Sequence, residues 1–195
     1  MRTSTKTRTT TETDISLTLN LDGEGRYDID TGCGFFDHML ELFCRHGRFD
    51  LTLRCKGDTD VDYHHTVEDV GIVLGTAFHE ALGDCGGIQR YGFFLLPMDE
   101  ALCQIAVDLG GRCTCECDFS FSSPKAGDFD AELAEEFLLA LCRSMPACIH
   151  VRQLAGRNTH HIIEACFKGL GRALRQAVAV DPALNGEIPS TKGVL

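Results

Sequence analysis

Two features of the 195-residue sequence predict an α+β chain built from two duplicated half-domains, each a small mixed or antiparallel sheet packed with two helices. The first is a repeated pentad, His64-His65-Thr66-Val67-Glu68 and His160-His161-Ile162-Ile163-Glu164, offset by 96 positions (160 − 64), about half the chain. Leu74/Leu170, Gly75/Gly171, Ala77/Ala173 and Ala81/Ala177 match in the same register. The second is that strand-period and helix-period segments recur in one order on either side of a glycine-rich break at Gly83–Gly87. Residues 1–85 and 86–195 are the expected repeats, forming together one compact domain, the second with a C-terminal tail.

Taken in order, residues 2–13 are polar and alternate. Residues 14–21 place Ile15, Leu17, Leu19 and Leu21 at every second position, the pattern of a half-buried strand. Asp22-Gly23-Glu24-Gly25 is a turn, and residues 26–30 are expected to return as the second strand of a hairpin. Phe35–Phe43 is an apolar helix, Phe49–Cys55 alternates as a strand, and the first pentad opens a helix to about Leu82. The half-unit therefore reads strand, strand, helix, strand, helix. In the second half, Ala101–Leu109 and Arg112–Phe121 are expected strands, Asp130–Arg143 a helix, Ile149–Leu154 a strand and His160–Val180 the second pentad helix.

The pentads point to metal binding. On a helix, positions i and i+4 share a face, so His64 converges with Glu68 and His160 with Glu164. His65 and His161 lie about a quarter turn away at roughly 3.6 residues per turn. One helix cannot bring both its histidines to one ion. Two pseudo-symmetric helices can hold two, each ion taking a His/Glu pair from one repeat and the odd histidine from the other. Aligning the halves also pairs Asp37-His38-Met39-Leu40 with Glu135-Glu136-Phe137-Leu138, which makes His38 and Glu136 further ligand candidates. The bland alternative is two unrelated polar helix starts; recurrence in register weighs against it. The tail, Gly186–Gly193, offers hydroxyls, amide donors and Lys192, a set suited to a phosphate, with a frayed polar terminus as the plain reading.

Composition narrows the class. The net charge of −11 disfavours nucleic acid and anionic membrane as partners. No apolar run approaches the roughly 20 residues of a membrane span, and Met1–Thr13 lacks the apolar core of a signal peptide, so a cytoplasmic setting is expected. The eleven cysteines then read as small reduced core or strand residues. Cys113, Cys115 and Cys117 alternate as strand residues do; as a thiolate metal site they lack a second cysteine pair at finger spacing.

Phe36-Asp37-His38-Met39-Leu40, Asp62-Tyr63-His64-His65-Thr66-Val67-Glu68-Asp69, Gly156-Arg157-Asn158-Thr159-His160-His161-Ile162-Ile163-Glu164 and Pro189-Ser190-Thr191-Lys192-Gly193 together resemble imidazoleglycerol-phosphate dehydratases. The likeness runs from Arg8 to Leu195. It implies the ribosomal protein S5 domain 2-like fold and a lyase of L-histidine biosynthesis that dehydrates D-erythro-imidazole glycerol phosphate to imidazole acetol phosphate through a manganese-bound imidazolate. It implies two Mn²⁺ per active site, one on His38, His65, His160 and Glu164, the other on His64, Glu68, His161 and position 136. Many members carry histidine at that last position; here it is Glu136, a carboxylate that also suits Mn²⁺. Tyr63 departs as well, since an acidic residue commonly precedes the histidine pair.

The same resemblance makes Glu12 the mobile acid/base. It makes Glu12, Arg90, Arg112, Lys168, Ser190 and Lys192 the substrate binders, and implies a homo-oligomer, a 24-mer, with sites at subunit contacts. Off the repeat register, His79 and His150 read as structural, while His46 is open. Two rival readings use the same residues. A two-metal phosphoester or amide hydrolase would also activate water with paired ions, and a metal-storage protein would bind metal without using Glu12, Arg90 or Lys192.

Overall fold

The computed structural model describes all residues, Met1–Leu195. The first sheet contains β1 (Thr3–Thr9), β2 (Thr13–Asn20), β3 (Tyr27–Asp30) and β4 (Asp50–Gly57) in the order β1-β2-β4-β3. The second contains β5 (Tyr91–Met98), β6 (Ala101–Asp108), β7 (Thr114–Asp118) and β10 (Cys148–Ala155) in the order β5-β6-β10-β7. Between β7 and β10 lies a small ribbon of β8 (Lys125–Ala126) and β9 (Phe129–Asp130). In each four-stranded sheet only the last pair, β3/β4 or β7/β10, is parallel. The duplication read from the pentads is thus a duplication of topology.

Each half carries two helices: α1 (Gly34–Gly47) and α2 (His64–Leu82), then α3 (Leu133–Ser144) and α4 (Thr159–Ala177). They cover their own sheet and meet the other half's helices, α1 on α4 and α2 on α3, so both halves share one core. Two glycines at equivalent repeat positions set the spacing. A Cβ on Gly75 of α2 would lie 2.5 Å from the Leu141 carbonyl oxygen of α3, and one on Gly171 of α4 would lie 2.5 Å from that of Phe43 on α1. Where the helices converge, Phe36, Phe137 and Phe167 interlock with ring centroids 5.1–6.4 Å apart.

Several expectations are corrected. Residues 26–30 do not form a hairpin with residues 14–21. β2 pairs instead with β1 and β4, and β3 lies beyond β4 as a parallel edge strand. The cause is Asp50, whose Oδ1 accepts from the backbone of Glu24 (2.8 Å) and Arg26 (2.9 Å) and carries the chain past the end of β4. Each half also opens with a strand that the expected order lacked. β1 buries only Ser4, so it shows no apolar alternation, and β5 is apolar on both faces, with Phe93 and Leu95 exposed. The strand expected at Arg112–Phe121 spans only Thr114–Asp118, α3 begins at Leu133 because Phe129–Asp130 belong to β9, and α4 ends at Ala177 rather than Val180.

Candidate metal centre

The site grows from the first turns of α2 and α4. Asn158 caps α4, its side-chain oxygen accepting from the backbone N–H groups of His160 (3.0 Å) and His161 (3.3 Å). Asp62 accepts from His64 N–H (2.7 Å) at the start of α2. Both histidine pairs are thereby fixed in a first turn with the same splay, their centroids 6.1 Å apart and ring planes 86° and 83° to one another. This is the quarter-turn divergence expected from the helix repeat.

Because α1 packs on α4, His38 comes beside the second pentad. The ligand atoms of His38, His160 and Glu164 all lie within 4.8 Å of one another. His160 Nε2 is 3.1 Å from Glu164 Oε2, and the Phe35 ring meets the His160 ring edge-on at 5.1 Å. Glu164 is buried, which alone would raise its pKa; the Lys168 ammonium paired with its other oxygen and the nearby His160 outweigh this and hold it below the usual glutamate value. A carboxylate is therefore kept ionised against two imidazoles.

The inner histidines are held elsewhere. His65 Nδ1 is 2.9 Å from Asp58 Oδ2, with Glu12 Oε1 3.7 Å from its Nε2. His161 Nδ1 is 2.7 Å from Glu100 Oε2, with Asp99 Oδ2 3.8 Å from its Nε2. Each inner imidazole is bracketed in the same way by two carboxylates. The hydrogen bonds to Asp58 and to Glu100 raise the pKa of their histidines, and Glu100 is itself held down to about 2, chiefly by His161 and then by the Asn158 N–H. His65 and His161 do not enter the His38 triad within the chain, and His64, Glu68 and half-buried Glu136 form no second triad of that closeness. Reasoning from the sequence missed Asp58, which lies only seven positions before His65, and gave Glu100 no role, since it lies 61 positions before its histidine.

Glu12 sits exposed at the β1–β2 turn. The turn is tied to α2 by buried Asp69, which accepts from Thr13 Oγ1 (2.5 Å) on one oxygen and from Arg8 Nε (3.0 Å) on the other. The expected phosphate binders fall in two places. Lys168 pairs with Glu164 and contacts Met98 Sδ at 3.5 Å. Arg90 forks onto Asp108 (2.7 and 3.1 Å) and donates to the Pro189 carbonyl (2.9 Å), which draws in the tail with Ser190 and Lys192, while exposed Arg112 follows Gly111, itself packed near Leu195. Arg90 N–H bonds Ala177, thirteen residues along α4 from Glu164, so the two places lie roughly 20 Å apart at about 1.5 Å per residue. His46 is half-buried, its pKa lowered by burial and by Lys168 and Arg172; His150 is exposed on β10.

A family model described as imidazoleglycerol-phosphate dehydratase matches residues 31–174, which span α1 and the start of both pentad helices. The chain belongs to the imidazoleglycerol-phosphate dehydratase family. A Clostridium botulinum (strain Langeland) protein of that name is 58% identical over 172 residues, covering 88% of this chain and 87% of its own length. Two crystal structures of family members superpose on it. That of the Staphylococcus aureus N315 dehydratase has a TM-score of 0.84 at 37% identity, covering 92% of this chain and 99% of the other. That from Pyrococcus furiosus has a TM-score of 0.85 at 37% identity, covering 97% and 100%. No helix of the chain is long and apolar enough to cross a membrane.

Proposed function

We propose that the chain is a manganese-dependent hydro-lyase of histidine biosynthesis, acting in the cytoplasm, that converts imidazole glycerol phosphate to imidazole acetol phosphate. One observation carries the metal part of this reading: two imidazoles and a carboxylate, kept ionised by Lys168, converge within 4.8 Å where two pseudo-symmetric halves meet. The donor set fits Mn²⁺, which accepts mixed nitrogen and oxygen ligands. His38, His160 and Glu164 would hold one ion with His65 as the fourth ligand; His64, Glu68, His161 and Glu136 would hold the second. Such ions would supply Lewis acidity that lets the substrate's imidazole ring take up negative charge.

The remaining work falls to side chains. The proton to be removed sits on a carbon beside the imidazole ring, where no carbonyl acidifies it. Glu12 moves that proton, and loss of hydroxide follows with acid help. Asp58 and Glu100 hold the Nδ1 atoms of His65 and His161, which makes each Nε2, facing Glu12 or Asp99, the nitrogen that would bind metal. Arg90, Arg112, Ser190 and Lys192 take the phosphate.

The separation of that phosphate corner from Glu164 supports a site shared between copies of the chain, in a homo-oligomer of the size the family resemblance implies, a 24-mer. Tyr91, Phe93 and Leu95 supply an exposed apolar row along edge strand β5, a surface suited to such a contact. Mixing two inactive variants, E12Q and R90A, after dissociation and reassembly should restore part of the activity if sites combine residues of two copies. Persistent inactivity of the mixture would assign each site to one chain.

The decisive assay strips the protein with chelator, supplies imidazole glycerol phosphate and follows imidazole acetol phosphate with and without Mn²⁺. Product restored by Mn²⁺ is expected. Release of inorganic phosphate in its place would sink the dehydratase reading and favour a two-metal hydrolase.

A further inference from the structure

One element breaks the repeat. In the first half residues 31–33 lead from β3 to α1, whereas in the second half residues 119–132, which lead from β7 to α3, hold the ribbon of β8 and β9. The ribbon turns at Gly127-Asp128, where Gly127 takes the positive φ (65°) that a two-residue hairpin loop requires. Lys125 Nζ lies 3.1 Å from Asp130 Oδ2 across the ribbon. Buried Phe129 sets its ring 5.0 Å from that of Phe35, which in turn meets His160.

The ribbon is tied to the start of both pentad helices. On one side Ser123 N–H donates to Thr159 Oγ1 (3.1 Å) and Thr159 Oγ1 donates to the Ser123 carbonyl (3.2 Å), Thr159 being the buried first residue of α4. On the other side Tyr63 Oη donates to Asp128 Oδ2 (2.8 Å) at the tip of the ribbon. Tyr63 is the N-cap residue of α2, and its carbonyl accepts from Val67 N–H at 3.0 Å, so a bond from its side chain holds the turn that carries His64. Helix packing sets the spacing of the two first turns only indirectly, because α2 packs on α3 and α4 on α1. His65 has its own anchor in Asp58, whereas His64 is hydrogen-bonded through its backbone alone and takes its aim from the turn.

We propose that the ribbon is a clasp between the two pentad helices, and that Tyr63 and Asp128 are positioning residues for His64, acting on the ion that takes His64, Glu68, His161 and Glu136. The phenol acts as a hydrogen-bond donor and the carboxylate as its acceptor, with no part in the chemical step. The proposal rests on the metal reading above. It holds for a site completed within one chain and for a site shared between copies, since in both the two first turns of a chain must present their ligands at one separation.

The test is titration of the chelator-stripped, full-length protein with Mn²⁺, read from the electron paramagnetic resonance signal of the free ion. The unsubstituted protein should bind two Mn²⁺ per chain. Y63F and D128A should each weaken one of the two by about tenfold, the scale for losing an outer hydrogen bond of a metal site, and leave the other ion and the melting temperature nearly unchanged. D128N should keep both ions, because its amide oxygen still accepts from the phenol. Unchanged affinities in Y63F and D128A, or equal weakening of both ions together with a lower melting temperature, would overturn the proposal. Failure of the unsubstituted protein to bind Mn²⁺ would overturn the metal reading itself, and the clasp with it.

Discussion

Glu100 Oε2 accepts from His161 Nδ1 across 2.7 Å, joining the β5–β6 turn to the first turn of α4. In the other half, Asp58 Oδ2 stands 2.9 Å from His65 Nδ1. A carboxylate on one ring nitrogen fixes the tautomer, aims the other nitrogen and raises its basicity. Replacing either acid by its amide, D58N or E100Q, should lower Mn²⁺ affinity about 10- to 100-fold with little change in melting temperature. Metal content after gel filtration reads this directly. Full retention of metal in both variants would reduce the two carboxylates to surface ion pairs.

Asp69 has a different task. It reaches from α2 to Thr13 and Arg8, on either side of the turn that presents Glu12. E12Q should cut kcat by about 10²- to 10⁴-fold while leaving Mn²⁺ content intact, the range for loss of a general acid/base. D69N should lower kcat more than it raises KM, because it loosens the position of Glu12 and leaves the phosphate contacts alone. Equal effects on both constants would mean that Asp69 only supports the fold.

The duplication was legible because both pentads keep their neighbours in register, and the helices that carry them start within a residue of the expected histidines. The first strand of each half was not. β1 sets Thr3, Thr5, Thr7 and Thr9 on its exposed face and Ser4, Lys6 and Arg8 on the other, and β5 has no polar face to alternate with, so neither shows an alternation of apolar with polar residues. The β2–β3 hairpin failed for another reason: Asp50, 26 residues from Glu24, decides where that turn leads. Local pattern finds a strand but not its neighbour. The site divides along the same line. Helical spacing was enough to join His160 with Glu164, whereas the anchors Asp58, Glu100 and Asp69 act through tertiary contact.

The triad also depends on how closely α1 approaches α4, since His38 rides on one helix and His160 and Glu164 on the other. A methyl group at Gly171 would meet the Phe43 carbonyl oxygen at 2.5 Å and Gly47 N at 3.0 Å, backbone atoms that cannot swing aside. G171A should therefore destabilise by about 1–3 kcal/mol and lower the melting temperature by several degrees. It should also weaken Mn²⁺ binding, because His38 is pushed away from its partners. The equivalent G75A strains α2 against α3, which bear none of those three ligands, and should cost stability while sparing the triad's metal. Equal metal loss in both would mean that general loosening, not the α1–α4 spacing, governs the site.

Buried thiols set the alkaline limit of stability. Burial raises the pKa of Cys33, Cys55 and Cys103 from 9.0 to about 11, so the folded chain keeps protons that the unfolded chain gives up. A group whose pKa is raised by folding contributes fully below its unfolded value, and the contribution drains away as pH climbs towards the folded one. Melting temperature should thus hold steady up to about pH 8.5 and fall between about 9 and 11. Cys103 is fully buried and hydrogen-bonds only to the Ile162 carbonyl at 3.6 Å, so C103A should make that fall shallower, by on the order of 2 kcal/mol across the window. Thermal melts of the two proteins in the presence of reductant, compared at pH 8 and pH 10.5, read the difference. Parallel losses would remove Cys103 from the alkaline limit and leave it to the other buried thiols, Cys33 and Cys55.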